Sequence, residues 1–476
     1  MIFHSLDFIF FFVAVTALYW MLPHRAQNIL LFIASYVFYG YIHPWFLILI
    51  ATSTIIDYCA ARGMEAWPQY RKRFLWLSVI SNFGMLGFFK YFDFFIENVV
   101  AALGTFGLAV DGPALRILLP VGISFYTFQA MSYTIDVYRG ELRARRNLLD
   151  LAVFISFFPH LVAGPIQRAS FLLPQVESRR RFVPEKARSG FILICWGYFK
   201  KLVIADNVGV IANKVFALSD PTFYILWAGV FAFAIQIYAD FSAYTDIARG
   251  TSRWLGFELT ENFDHPYLAR SPADFWRRWN ISLSTWFRDY VYIPLGGSRG
   301  GTWMWVRNVL VTFLLSDLWH GASWNYVLWG LYHGVLLVLT RAGSFAVPSP
   351  RRSGWITVLQ IAGMFLLTLV GWLLFRETEL SAVVRDLRLS PFGVSELDRQ
   401  TGAYLFLLAF VYSIPLWIQS LWVELRRAPA LESPPLSGDL APWPRMALQG
   451  FACGLALAAI LVLRSRTSLD FIYFQF

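Results

Sequence analysis

DFIFFFVAVTALYWML, residues 7–22, decides the class of fold. After Asp7 it carries no charge, and it lacks the basic n-region and small-residue cleavage site of a secretory signal, so it reads as a retained first membrane span. The remainder of the chain supports that reading. Its 476 residues are 57% hydrophobic and 15% charged, with 45 Phe, 22 Tyr and 20 Trp. Soluble domains carry about 25% charged residues, and Trp and Tyr gather at membrane interfaces. The sequence therefore predicts an all-α polytopic membrane protein.

A helix needs about 20 apolar residues to cross a bilayer. Besides 6–22, segments of that character lie at 26–42, 46–61, 74–95, 117–137, 191–204, 222–239, 324–340, 354–375, 403–423 and 446–463. Weaker apolar pieces occur at 148–163 and 303–319. The net charge of +10 is explained by basic loops, not by nucleic-acid binding. Arg62, Arg71, Lys72 and Arg73 mark one such loop, Arg139, Arg143, Arg145 and Arg146 a second, and Arg341, Arg351 and Arg352 another. Placing the N-terminus outside puts the first two of these loops inside and makes 148–163 re-entrant, a conformation allowed only where protein covers the backbone. There is no internal repeat and no long linker, so 1–476 reads as one membrane-embedded domain. Its motif-bearing core is 117–340 and its C-terminal helices occupy 354–463.

Residues 240–300 mix aromatic and charged residues too densely for a lipid-facing helix. In SPADFWRRWNISLSTWFRDY, Ser271 is placed to cap a helix and Pro272 fits its first position. Phe275, Trp279, Leu283 and Trp286 recur at three- and four-residue spacing. The expectation is one interfacial helix on the cytoplasmic surface, with Arg277 and Arg278 turned toward headgroups. LGGSRGG, residues 295–301, lacks the lysine of a phosphate-binding loop and reads as a turn. Cys59, Cys195 and Cys453 are far apart in apolar segments, and no spacing suggests a metal.

The chemistry points to the histidines. His320 and His333 both lie within LLSDLWHGASWNYVLWGLYHG, residues 314–334. Gly321-Ala322-Ser323 interrupts the helical pattern, which places each histidine on its own helix. An ionisable ring at membrane depth is costly and marks function by default, and imidazole suits proton transfer near neutral pH. The alternative for either ring is an interhelical hydrogen bond. Asp317, three residues before His320, either orients that ring or pairs with an arginine.

Five segments in order resemble the membrane-bound O-acyltransferase superfamily, in its branch that acetylates bacterial polysaccharides such as alginate. They are LPVGISFYTFQAMSYTIDVYRGE (119–141), FFPHLVAGPIQR (157–168), ADFSAYTDIARG (239–250), ENFDHPYLARSPADFWRRWNISLSTWFRDYVYIPLGG (261–297) and LWHGASWNYVLWGLYHG (318–334). The resemblance implies a ring of about 11 transmembrane helices, with re-entrant and interfacial helices around a thin central partition. It implies an enzyme of the bacterial inner membrane that passes an acyl group from a cytoplasmic thioester, acetyl-CoA or an acyl-carrier protein, toward an exported polysaccharide. No bound cofactor is implied, and a periplasmic esterase-like partner completes the modification. The family histidine of the WHG motif maps onto His320. The second family histidine, in RRWHISLS, maps onto Asn280, which can hydrogen-bond an acyl carbonyl but cannot shuttle a proton. The branch more often has small residues where this chain has Ser316 and Asp317. On this reading His320, Asn280 and Asp317 are catalytic candidates. Trp319, Trp324, Arg277, Arg278 and His333 are substrate-binding candidates, the arginines for an acidic donor. A carrier-dependent D-alanyl or other acyl transferase, and a small-solute transporter, are the alternatives.

Overall fold

The computed structural model of the chain describes residues 1–41, 43–108, 119–341, 343, 354–430, 442–467 and 469–472. The first two residues of the expected span 117–137, and Arg351 and Arg352, lie outside these. Every regular element among the described residues is helical. Five helices are long and apolar enough to cross a membrane: Phe46–Ala66, Phe223–Trp254, Gly354–Arg376, Glu396–Arg427 and Met446–Leu463. Leu6–Met21 is as apolar but only 16 residues long. Large apolar side chains such as Leu6, Phe10, Met21, Phe451 and Leu461 are mostly exposed. In water such a surface would aggregate. Facing lipid it is the expected outside of a polytopic membrane protein.

The chain folds as two compact units, Met1–Phe191 with Ile247–Thr260, and Ile192–Asp246 with Glu261–Phe476. The first is pinned internally by polar groups that lipid could not satisfy. Asp57, fully buried on Phe46–Ala66, accepts hydrogen bonds from Ser78 Oγ (2.5 Å) and from Asn82 Nδ2 at both oxygens (3.0 Å each) on Arg71–Thr105. Ser78 Oγ also lies 2.8 Å from Thr134 Oγ1 on Ile123–Arg139. Asp57→Ala is expected to cost about 3 kcal/mol, because buried donors lose their acceptor. Thermal unfolding of the purified protein in detergent checks this, and an unchanged midpoint would refute it. In the same unit 148–163 forms two short helices, Leu148–Ser156 and Phe158–Leu161. His160 Nε2 there lies 2.8 Å from Gln129 Oε1.

The second unit overturns one sequence expectation. ADFSAYTDIARG was expected to leave the membrane helix, yet Phe223–Trp254 runs unbroken through it. Its charges are matched by two buried lysines on a wide π-type turn, Lys200–Ala205. Lys200 Nζ bonds Ser242 Oγ (2.7 Å) and Asp246 (2.8 Å), while Lys201 Nζ reaches Asp206 (2.9 Å) and Asp240 (3.1 Å). Segment 469–472 closes this cluster. Leu469 O accepts from Lys201 Nζ at 2.9 Å, and Ile472 N donates to Asp240 Oδ2 at 2.8 Å. The Phe471 ring packs 3.9 Å from that of Tyr244.

Candidate active site

The 271–290 segment is not one helix. Ser271 caps Pro272–Arg278 as expected, its hydroxyl accepting from Asp274 N at 3.2 Å. The helix then ends, and Asn280 takes a left-handed conformation (φ 41°, ψ 54°) before Ile281–Phe287 begins. Asparagine tolerates that region better than most residues. Asn262 fixes the turn: its carbonyl accepts from Ile281 N (2.9 Å), and its side-chain oxygen accepts from Ser282 N (3.0 Å) and Oγ (2.8 Å). Phe275, Trp279, Leu283 and Trp286 are all buried. The predicted apolar face is real, but it packs against protein and the helix carrying it is split.

Asn280 itself is buried, and its Nδ2 has no acceptor among the described residues. Its neighbour Trp279 packs 4.8 Å from the Trp372 ring, and Trp372 lies 5.7 Å from Trp329. Trp329 in turn meets both histidines edge-on, His320 at 5.3 Å and His333 at 5.0 Å. Folding thus places the two imidazoles against one indole. Contrary to the expectation, they do not each occupy a helix. Gly301–Leu318 stops before Trp319, so His320 stands in the connecting turn, and only His333 is helical, on Trp324–Arg341. Gly321 shapes this turn, since a Cβ there would sit 2.2 Å from the Tyr326 ring.

His320 is enclosed by Trp319 (5.1 Å), Trp329 and Phe375 (5.6 Å). Asp317 Oδ1 lies 3.9 Å from His320 Nε2, too far for a hydrogen bond. Asp317 is fully buried, and neither carboxylate oxygen has a hydrogen-bond partner among the described residues. It fits against Trp324–Arg341 because residue 330 is glycine, where a Cβ would meet Asp317 Oδ2 at 2.4 Å.

The remaining candidates divide. Trp319 is buried beside His320, as expected of a wall residue. Trp324 is exposed, and Trp329 and Phe375 pack against the histidine. His333 stacks on Phe275 (5.9 Å, 6° between planes) and lies among Trp276, Trp329 and Tyr332. Arg278 does not point to headgroups: it bonds Asp274 (3.0 Å) and Glu424 (3.3 Å). Burial pulls its pKa down, but these carboxylates outweigh burial and raise it above the ordinary value. Arg277 is exposed. Among the described residues no group of His, Cys, Asp or Glu could hold a metal ion. Sequence reasoning missed Asn262, Trp329, Gly330, Trp372 and Phe375. Only the four-residue spacing of Trp329 and His333 signalled any of them.

The model of the membrane-bound O-acyltransferase family matches residues 137–378, which hold every candidate above. The chain belongs to that family. It is 38% identical to the probable alginate O-acetylase AlgI of Pseudomonas putida, with all of both chains covered. It is 32% identical to the peptidoglycan O-acetyltransferase of Helicobacter pylori, over 85% of this chain and 83% of that one. The teichoic acid D-alanyltransferase of Bacillus subtilis is 29% identical over 55% of this chain and 70% of its own. This membrane-bound O-acyltransferase is therefore an acyltransferase enzyme, and the transporter reading falls.

Proposed function

We propose that the chain is an O-acetyltransferase of the bacterial inner membrane, with its N-terminus outside and residues 1–476 acting as one domain. It carries an acetyl group from a cytoplasmic thioester, acetyl-CoA or an acetylated carrier protein, toward hydroxyls of an exported polysaccharide, with a periplasmic partner completing delivery. The observation that carries the chemistry is His320, buried among aromatic rings with the otherwise unpartnered Asp317 carboxylate 3.9 Å away. As a neutral base, His320 takes the proton of an acceptor hydroxyl, whose oxygen forms a bond to the thioester carbonyl carbon. The carbon–sulfur bond then breaks, and the imidazolium returns its proton to the leaving thiolate. Asp317 stabilises the imidazolium between these steps. Asn280 Nδ2, a buried donor lacking an acceptor, suits the oxygen that becomes negative in the tetrahedral intermediate. Trp319, Trp329 and Phe375 keep water from the intermediate.

Proteoliposomes given radiolabelled acetyl-CoA, or an acetylated carrier protein, and enclosing alginate together with the periplasmic partner test the reading. Alkali-labile label on the enclosed polymer is expected. Transfer from a D-alanyl carrier and not from either acetyl donor would replace acetylation with aminoacylation. No transfer from any donor would overturn the proposal.

A further inference from the structure

A cleft of about 650 Å³ lies in the second unit beside, but apart from, the His320 turn. Its walls are Trp276 of Pro272–Arg278, Ile281 of Ile281–Phe287, Trp305, Val309 and Phe313 of Gly301–Leu318, and Leu337 of Trp324–Arg341. Two threonine hydroxyls along it are turned into their own helices: Thr285 Oγ1 bonds Ile281 O (2.8 Å), and Thr312 Oγ1 bonds Asn308 O (2.6 Å). The lining is therefore apolar in effect. From Trp305 to Ser316 it follows the helix for about 16 Å at 1.5 Å per residue, which is about half of a 30 Å hydrocarbon core.

The lining also carries cations. Arg277 and Arg288 both line the cleft and are exposed. Arg288 is paired with Asp289 at 2.7 Å, whereas Arg277 has no ion-pair partner among the described residues. Trp305 and Tyr292 also line the cleft, and the Arg341 guanidinium lies 4.5 Å over the Trp305 ring. Arginine and aromatic residues together mark the membrane–water interface. The cleft thus joins an apolar wall to two arginines and two aromatic residues of interfacial type.

We infer that the cleft is a binding site for an anionic glycerophospholipid. The phosphate sits between Arg277 and Arg288, and one acyl chain lies along Val309, Phe313 and Leu337. Length, apolarity and one spare positive charge match that molecule and not a zwitterionic one. The inference rests on the membrane setting and not on acyl transfer.

The test is native mass spectrometry of the full chain in detergent, titrated with phosphatidylglycerol or phosphatidylcholine. Wild type is expected to hold phosphatidylglycerol at least tenfold more tightly. Arg277→Ala, at an exposed position, should reduce that preference to twofold or less. Thr285→Trp, which fills the cleft, should remove the most tightly held lipid. An Arg277→Ala protein that keeps the full preference overturns the inference. So does acetyl-CoA displacing phosphatidylglycerol in an Arg277-dependent way, which would make the cleft part of a donor path.

Discussion

His320→Ala is expected to lower acyl transfer by about 10²- to 10⁴-fold, the range contributed by a positioned proton-transfer group. The side chain is buried in the turn between Gly301–Leu318 and Trp324–Arg341, and the rings of Trp319, Trp329 and Phe375 form its enclosure. Those rings pack on one another as well, Trp329 lying 5.0 Å from Phe375, so the enclosure does not depend on the imidazole. The loss should therefore fall on kcat, while the thermal midpoint in detergent changes little. His320→Gln fills nearly the same space and offers hydrogen bonds but no proton shuttle, so it should be as inactive as alanine. Initial rates of labelled acetyl transfer by the reconstituted variants decide the matter. A His320→Gln enzyme with wild-type rates would remove the histidine from the mechanism.

The second large effect is expected at Asp317. A buried carboxylate without a hydrogen bond destabilises a fold, so Asp317→Gly should raise the unfolding midpoint. The same change should reduce acyl transfer by about 10- to 100-fold, the usual consequence of losing a group that supports a catalytic ring. A purely structural residue would not give gained stability with lost rate. Asn280→His, introduced into the Asp317→Gly background, should restore part of the rate. In a double-mutant cycle the coupling is expected to exceed about 1 kcal/mol. Additive, mild effects would mean that Asp317 does not make up for the absent second histidine. Removal of the Asp317 side chain also empties the notch at Gly330, so the variant tests whether that close approach serves the histidine or only packing.

How far such a site can be read from sequence depends on how far each feature reaches along the chain. The membrane class, the Ser271 cap and the shared apolar face of Phe275, Trp279, Leu283 and Trp286 follow from local pattern, and the structure agrees, though that face packs against protein. The break at Asn280 does not follow from local pattern, because the group that fixes it, Asn262, lies 18 residues upstream. Periodicity alone continued the helix across it. ADFSAYTDIARG looked too polar for a membrane helix because its partners, Lys200 and Lys201, sit some 40 residues away. Trp324 and Trp329 are equally aromatic in sequence, but helix phase exposes the first and turns the second toward His320. Arg277 and Arg278 are adjacent and chemically alike. Glu424, 146 residues further on, helps tie down one and leaves the other at the cleft.

The lysine cluster on the π-type turn also sets an order in time. Lys201 bonds to Leu469 O, 268 residues downstream, and Asp240 receives its backbone N–H from Ile472, 232 residues downstream. At about 5–20 residues per second, a ribosome needs about 10–50 s to make that intervening chain. Until then Lys201 has Asp206 and Asp240 as partners, but the cluster lacks its backbone ligands. The second unit is thus finished after translation of segment 469–472, and a stalled or shortened nascent chain would present the membrane with an unclosed charge cluster.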